Sequence, residues 1–419
     1  MWIERLGLVL ALCSGVALAQ DVPDGFRAWV QGLRPTALQQ GISAATFDAT
    51  LGNVAPVPRV LELDARQPEF VQTFLDYLER RVTPNVVAQG QRALAENAAL
   101  FAAVEARYPV PRAVLAAFWG LETGYGAHLG DFPVPAALAT LAYQGRRSGF
   151  FRDELIAALK IVDAGHVDAS ALRGSWAGAM GQMQFMPSTF GAYAVDGDND
   201  GRTDLWRSLA DALHSAANYL TRIGWRAGEP IAVEVVLPEG FDLRRSGARV
   251  RLPVATWSEL GVRPASGGAL PTVSGRAALL LPQGHRGPAF LTFDNFDVVL
   301  RWNRSVNYAL AVAHLAARLE GGAPLVGGRD AEREALSAER LRALQGALTA
   351  LGFDAGPADG LPGPRTELAV RLFQITHGLP ADGYASPSLA ARVESAFSAA
   401  KAAGRLACAP LAASGTGCD

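Results

Sequence analysis

The feature that most constrains this chain is a change in the period of its apolar residues. From Asp21 to about Gly228 they recur at helical spacing with few β-branched runs, which predicts a helical core. From Glu229 to about Phe296 the pattern gives way to short runs, Ile231 to Leu237 and Ala278 to Leu281 among them, separated by Gly and Pro clusters. These read as strands and turns, so residues 229–296 are expected to form a β-rich insertion in a mainly α chain. Helical period returns from Val306 to Leu319, and Gly321-Gly322-Ala323-Pro324 with Gly327-Gly328 then reads as a linker over residues 321–335. Leu341, Leu344, Leu348 and Leu351 open a second helical unit, residues 336–398, with turns at Asp359-Gly360 and Asp382-Gly383. The tetrapeptide Pro-Ala-Asp-Gly occurs at both turns, a faint echo that falls short of a repeat. At 419 residues the chain exceeds what one compact core usually manages, which agrees with two folded units.

Before the helical region, Glu4 and Arg5 precede an apolar stretch from Leu6 to Leu18 that closes with Ala17-Leu18-Ala19. A short apolar run with small residues at the cut reads as a secretory signal, residues 1–19, cleaved after Ala19 to give a periplasmic protein. Cys13 would suggest a lipid anchor, but Leu12 stands where a small residue is needed, so none is expected. Cys408 and Cys418 then remain in the tail, residues 399–419. They form either a disulfide that pins the tail or two free thiols, and their spacing does not decide. With 38 Lys+Arg against 40 Asp+Glu the formal charge is −2, too small a field to gather nucleic acid, which is not expected as a partner.

The densest run of unusual residues is Phe118-Trp119-Gly120-Leu121-Glu122-Thr123-Gly124-Tyr125-Gly126. Pro111 suits a helix start, Val114, Leu115, Phe118 and Leu121 make one apolar face, and Gly124 is placed to end the helix. Glu122 then lies in the last turn, where the negative end of the helix dipole and aromatic neighbours both raise the pKa of a carboxyl group. Kept partly protonated, such a group can give a proton to a glycosidic oxygen and later take one back. The bland alternative is a solvated surface Glu, and this segment alone does not overturn it.

Two further segments do. Gly174-Ser175-Trp176-Ala177-Gly178-Ala179-Met180-Gly181-Gln182-Met183-Gln184-Phe185-Met186-Pro187-Ser188 and Asp204-Leu205-Trp206 through Asn218-Tyr219-Leu220 follow in order. Together the three resemble the lytic murein transglycosylase B family over roughly Pro23 to Leu319, with Trp176 where Tyr is common. The resemblance implies a lysozyme-like helical catalytic domain over residues 20–320, acting on peptidoglycan glycan strands. It implies Glu122 as the one acid/base, cutting the MurNAc-GlcNAc β-1,4 bond with closure of a 1,6-anhydro ring and with no cofactor for the chemistry. It carries substrate contacts to Ser175, Gln184, Tyr219, Asn303 and Tyr308, neutral groups suited to sugars and N-acetyl groups, and Trp302 replaces a common Tyr, keeping a stacking surface but losing any hydroxyl contact. Arg146 and Arg147 are a solvated pair or a contact for peptide carboxylates, and Arg147 is the candidate carried forward. A monomer is expected, and other cell-wall enzymes are further candidate partners.

Asp196-Gly197-Asp198-Asn199-Asp200-Gly201-Arg202 has the alternating carboxylates of a calcium loop, but Arg207 stands where an EF-hand has Glu. It resembles the family's longer version, which implies Ca2+ as a structural ion on Asp196, Asp198, Asp200, the Arg202 carbonyl and Asp211. Sodium, or an Asp-rich turn without metal, would use the same residues. The C-terminal unit resembles the small three-helix peptidoglycan-binding module through Leu344-Gln345, Leu351-Gly352-Phe353, Asp359-Gly360, Gly363-Pro364, Thr366, Phe373-Gln374 and His377 to Gly383. With no second His or Cys nearby, His377 is not expected to hold zinc. Two rivals remain: a hydrolytic muramidase pairing Glu122 with Asp131 or Asp153, and a binding scaffold without turnover. The sequence leaves open whether cutting starts at strand ends or within them.

Overall fold

The computed structural model describes residues 24–65 and 72–405. The expected signal segment, and Cys408 and Cys418, lie outside the described residues. Helices dominate from Asp24 to Leu319, and the chain then closes with three more, Ala338–Ala350, Pro364–Thr376 and Pro387–Ala402. No described helix is long and apolar enough to cross a membrane.

Buried side chains form three separate clusters, one in the helical region, one in the β-rich insertion and one in the C-terminal unit. The largest gathers the helices and includes Phe47, Phe101, Leu115, Phe118, Leu155 and Leu315, each fully buried. The second lies between residues 235 and 293 around Trp257, and the third fills the C-terminal helices around Leu344, Leu348, Val370 and Phe373. The insertion is a five-stranded antiparallel sheet in the order Arg251–Pro253, Arg276–Leu280, Ala289–Thr292, Ala232–Val236, Arg263–Pro264. Its register pairs Val233 with Leu291 and Leu279 with Leu291, so one residue at the centre is flanked on both sides.

The C-terminal unit contains one device twice. Gln345 Oε1 accepts from Gly360 N at 2.9 Å while its Nε2 donates to Asp359 Oδ1 at 3.2 Å. Gln374 Oε1 accepts from Gly383 N at 2.8 Å while its Nε2 donates to Asp382 Oδ1 at 2.7 Å. Both Gln side chains are buried, so each satisfies its amide on a turn it also locks. The sequence echo at Pro-Ala-Asp-Gly is thus a repeated hydrogen-bond pattern.

The segment after Leu319 is strapped down, whereas its composition reads as a free tether. Glu234 accepts from Val326 N at 2.9 Å and Gly327 N at 2.8 Å, and Gln283 donates to Glu332 O at 2.6 Å. Gly328, at φ +89°, sits where a Cβ would meet Leu75 Cδ1 at 2.8 Å and Pro288 Cδ at 2.9 Å, so glycine here serves close approach as well as turning. The C-terminal unit docks on the sheet insertion in turn. Arg371 donates to Leu243 O at 2.9 Å and Ser246 Oγ at 3.1 Å, and Asp382 accepts from His285 N at 2.9 Å and meets His285 Nδ1 at 2.7 Å.

Candidate active site

The helix Arg112–Thr123 starts after Pro111 and ends at Gly124, which adopts a left-handed φ of 59° with its N–H on Gly120 O. Residues 113–119 are buried almost all round, so the helix is a core element and Glu122 emerges in its final turn with part of its surface open. Thr123 Oγ1 ties that turn to the next motif by donating to Gln182 O at 2.9 Å and accepting from Gly126 N at 3.1 Å.

Glu122 Oε1 accepts two hydrogen bonds, from Tyr308 Oη at 2.5 Å and Trp302 Nε1 at 2.9 Å. Tyr308 stands in the first turn of the helix Val306–Leu319, whose N-terminus Ser305 caps by accepting from Tyr308 N. Trp302 ends the helix Asp294–Trp302, and its ring packs against Phe118 at 4.5 Å, Tyr219 at 5.2 Å and Phe185 at 5.4 Å. Desolvation pushes the Glu122 pKa up, opposed by the donors Tyr308 and Trp302 and by the Arg81 guanidinium. Burial also raises the Tyr308 phenol well above its ordinary range, and the Glu122 charge adds to it, so the phenol keeps its proton and donates. Arg81 is the charged side chain that acts on Glu122 through space.

The second motif folds as a tight loop with bridges from Gly174 to Met180 and from Met180 to Phe185. Gln184 holds a left-handed φ of 49°, unusual for a residue with a Cβ. Its Nε2 donates to Leu129 O at 3.1 Å and Gly181 O at 3.0 Å. Both neighbours are carbonyls, which fixes the amide orientation and leaves Oε1 as the atom free to accept from an N–H. Ser175 Oγ accepts from Ala179 N at 3.0 Å, leaving its own proton to donate.

The structure thus gathers Glu122, Trp302, Tyr308 and Tyr219 into one aromatic cluster, with Ser175 and Gln184 on the adjoining loop. Beside them, Asn303 Oδ1 accepts from Ser305 N at 3.2 Å, and Arg147 lies over the Phe150 and Phe151 rings at 5.7 and 5.1 Å. Arg146 pairs with Asp64, its Nη2 on Asp64 O at 3.0 Å, while most of its side chain stays exposed to solvent. Asp153 lines a separate surface groove with Trp29, Gln40 and Lys160. Sequence reasoning missed Arg81, which sits over the Tyr77 ring at 5.8 Å, and the Trp302 N–H. The available signal for Arg81 was its place one helical turn after an aromatic residue.

Of the Asp-rich loop, Asp196, Asp198 and Asp211 offer carboxylate oxygens all within 4.8 Å of one another. Asp211 is buried in the first turn of the helix Leu209–Arg222 and accepts from Gly197 N at 2.7 Å and Asp204 N at 2.6 Å. Asp200 stands outside this trio and accepts from Arg202 N at 2.8 Å.

A mainly helical frame that sets one desolvated carboxyl group among aromatic rings defines a lysozyme-like glycan-cleaving enzyme. The transglycosylase SLT domain model matches residues 25–317 and a peptidoglycan binding domain model matches residues 337–393. The chain belongs to the lytic transglycosylases of the SLT family. Among solved structures it is similar to SltB3 from Pseudomonas aeruginosa in complex with NAG-anhNAM-pentapeptide, at 47% identity and TM-score 0.85, covering 88% of this chain and 99% of that one. It is also similar to the Escherichia coli lytic transglycosylase Slt35 in complex with calcium, at 27% identity and TM-score 0.58, covering 72% and 93% of the two chains. Among curated proteins, membrane-bound lytic murein transglycosylase B of Escherichia coli strain K12 is 34% identical over 214 residues, 50% of this chain and 56% of that protein. That match therefore spans little more than half the relative's length.

Proposed function

We propose that the protein is a periplasmic lytic murein transglycosylase that cuts the MurNAc-GlcNAc β-1,4 bond with Glu122 as single acid/base. The observation that carries this reading is a desolvated carboxyl group whose Oε1 is held by two neutral donors, Tyr308 and Trp302. Here Glu122 gives its proton to the glycosidic oxygen as the C1–O bond breaks, and the substrate's acetamido group stabilises the cationic carbon. The Glu122 carboxylate then takes the proton of the muramyl C6 hydroxyl, whose oxygen closes on C1, so no water enters. The anhydro sugar in the SltB3 complex supports this product.

Ser175 would donate to the substrate, Gln184 Oε1 would accept from an acetamido N–H, and Tyr219 with Trp302 would supply a stacking face. Asn303 and Arg147 belong to the rim of the substrate path in this reading. Hard oxygen donors on Asp196, Asp198 and Asp211 suit Ca2+, held for structure and without a part in bond cleavage; the calcium complex of Slt35 supports this. The C-terminal unit holds the enzyme on the wall. Digestion of purified sacculi followed by mass analysis tests the reading: anhydro muropeptides are expected, and products heavier by one water would overturn it.

A further inference from the structure

The two carboxyl oxygens of Glu122 are not equivalent. Tyr308 and Trp302 both donate to Oε1, at 2.5 and 2.9 Å, and among the described residues no donor reaches Oε2. An indole N–H can only donate, and the buried phenol keeps its proton. With two donors on Oε1, both of its lone-pair directions are used, and a proton placed there would expel one of them. Neither donor is free to turn away. Trp302 is wedged against Phe118 and Phe185, which are 0% and 2% exposed, and Tyr308 is buried.

We infer that Trp302 is a positioning residue that, with Tyr308, pins Glu122 Oε1 as a standing acceptor and leaves Oε2 as the only oxygen that gives and takes the proton. The inference rests on the reading of Glu122 as the acid/base. One oxygen then serves both half-reactions: Oε2–H protonates the leaving oxygen, and the same Oε2 receives the C6 hydroxyl proton, so the side chain need not rotate between steps. The bond from Trp302 spans 180 residues, which joins the end of the sheet-linked helix to the catalytic turn.

Trp302→Phe tests this in the full chain, because it keeps an aromatic ring and removes the N–H. Glu122 must begin protonated, so kcat/KM falls as pH rises through its pKa. Each donor stabilises the ionised form, and losing one raises that pKa. The high-pH limb should therefore move up by about one pH unit. With the carboxyl no longer held in one orientation, kcat should fall about tenfold while KM stays within about twofold. The other titratable or charged groups around the site stay in place in this variant. They include Tyr308, Tyr219 behind Trp302, and Tyr77 and Arg81 on the helix Phe74–Arg81. An unmoved limb, or a rise in KM with kcat unchanged, would mean that Trp302 is only a sugar platform and would overturn the inference.

Should the Phe variant fail to fold, infrared difference spectra of wild type against Glu122→Gln decide instead. A doubly hydrogen-bonded Oε1 carbonyl absorbs at the low-frequency end of the carboxylic-acid range, and a band at the free-carbonyl end would overturn the assignment. Water-added products would sink the transglycosylase reading and leave the pinned oxygen standing, since hydrolysis needs the same acid.

Discussion

Glu122 and Asp382 are both carboxyl groups drawn out of water, yet their pKa values move in opposite directions. For each, desolvation is the largest influence and acts upward. Glu122 meets it with two donors on one oxygen and stays raised. Asp382, 7% exposed, takes two on each oxygen, from His285 N, His285 Nδ1, Gln374 and Tyr384 N, and ends below the usual carboxylate range. Burial alone therefore does not decide which way a carboxyl group shifts; how far its oxygens are saturated with donors does. The first group is left with an oxygen to work with, and the second is fixed as an anion that joins two units.

Exchanging each carboxyl group for its amide should separate these roles. Glu122→Gln should abolish muropeptide release by more than about a hundredfold, the least that general acid–base catalysis contributes, while melting and sacculus binding stay as in wild type. Residual turnover above about one hundredth would break the single-acid side of the comparison. Asp382→Asn should do the reverse. Its amide would present an N–H to the His285 donors or surrender those of Gln374, costing about 2 to 3 kcal/mol and exposing residues 321–335 to protease, with cleavage of short soluble glycans preserved. Because the folded pKa of Asp382 is depressed, its contribution to stability is present above the unfolded carboxyl value near about 4 and is lost as pH falls below it. An acid scan in which wild type and Asp382→Asn diverge at neutral pH and converge at low pH would sharpen the contrast.

Two smaller effects probe its edges. Removal of residues 336–419 should weaken pull-down on insoluble sacculi and leave turnover of soluble fragments nearly intact; loss of that turnover would show that docking shapes the cleft. Asp211 offers a third treatment of a carboxyl group, since burial raises its pKa and the Asp198 charge adds to this, a conflict that a cation would settle. Millimolar Ca2+ should raise the melting midpoint by mass action, worth about 2.7 kcal/mol at a hundredfold excess over Kd. Identical midpoints with chelator and with calcium, or an unchanged one in Asp198→Ala, would remove calcium from the account.

The sequence made Glu122, its helix and the second motif legible because each is encoded by neighbours: Pro111 and Gly124 bound the helix, and a long local run defines the loop. The Trp302 contact was not legible, since it depends on how one ring is turned 180 residues away, and Trp302 was expected to offer only a stacking surface. The docking of the C-terminal unit was equally hidden. Arg371 and His285 lie on separate units, and a Gly-rich composition says that a segment can bend without saying that Glu234 and Gln283 will hold it.

That strap has a thermodynamic consequence for holding onto a polymer. A slack tether loses conformational freedom each time both of its ends engage, and the loss is subtracted from every two-point attachment. Here residues 326–332 are ordered as the protein folds, by Glu234, Gln283 and the fit of Gly328 against Leu75 and Pro288. The ordering cost is met once, at folding, and a glycan strand that reaches both the cleft and the C-terminal unit does not incur it again.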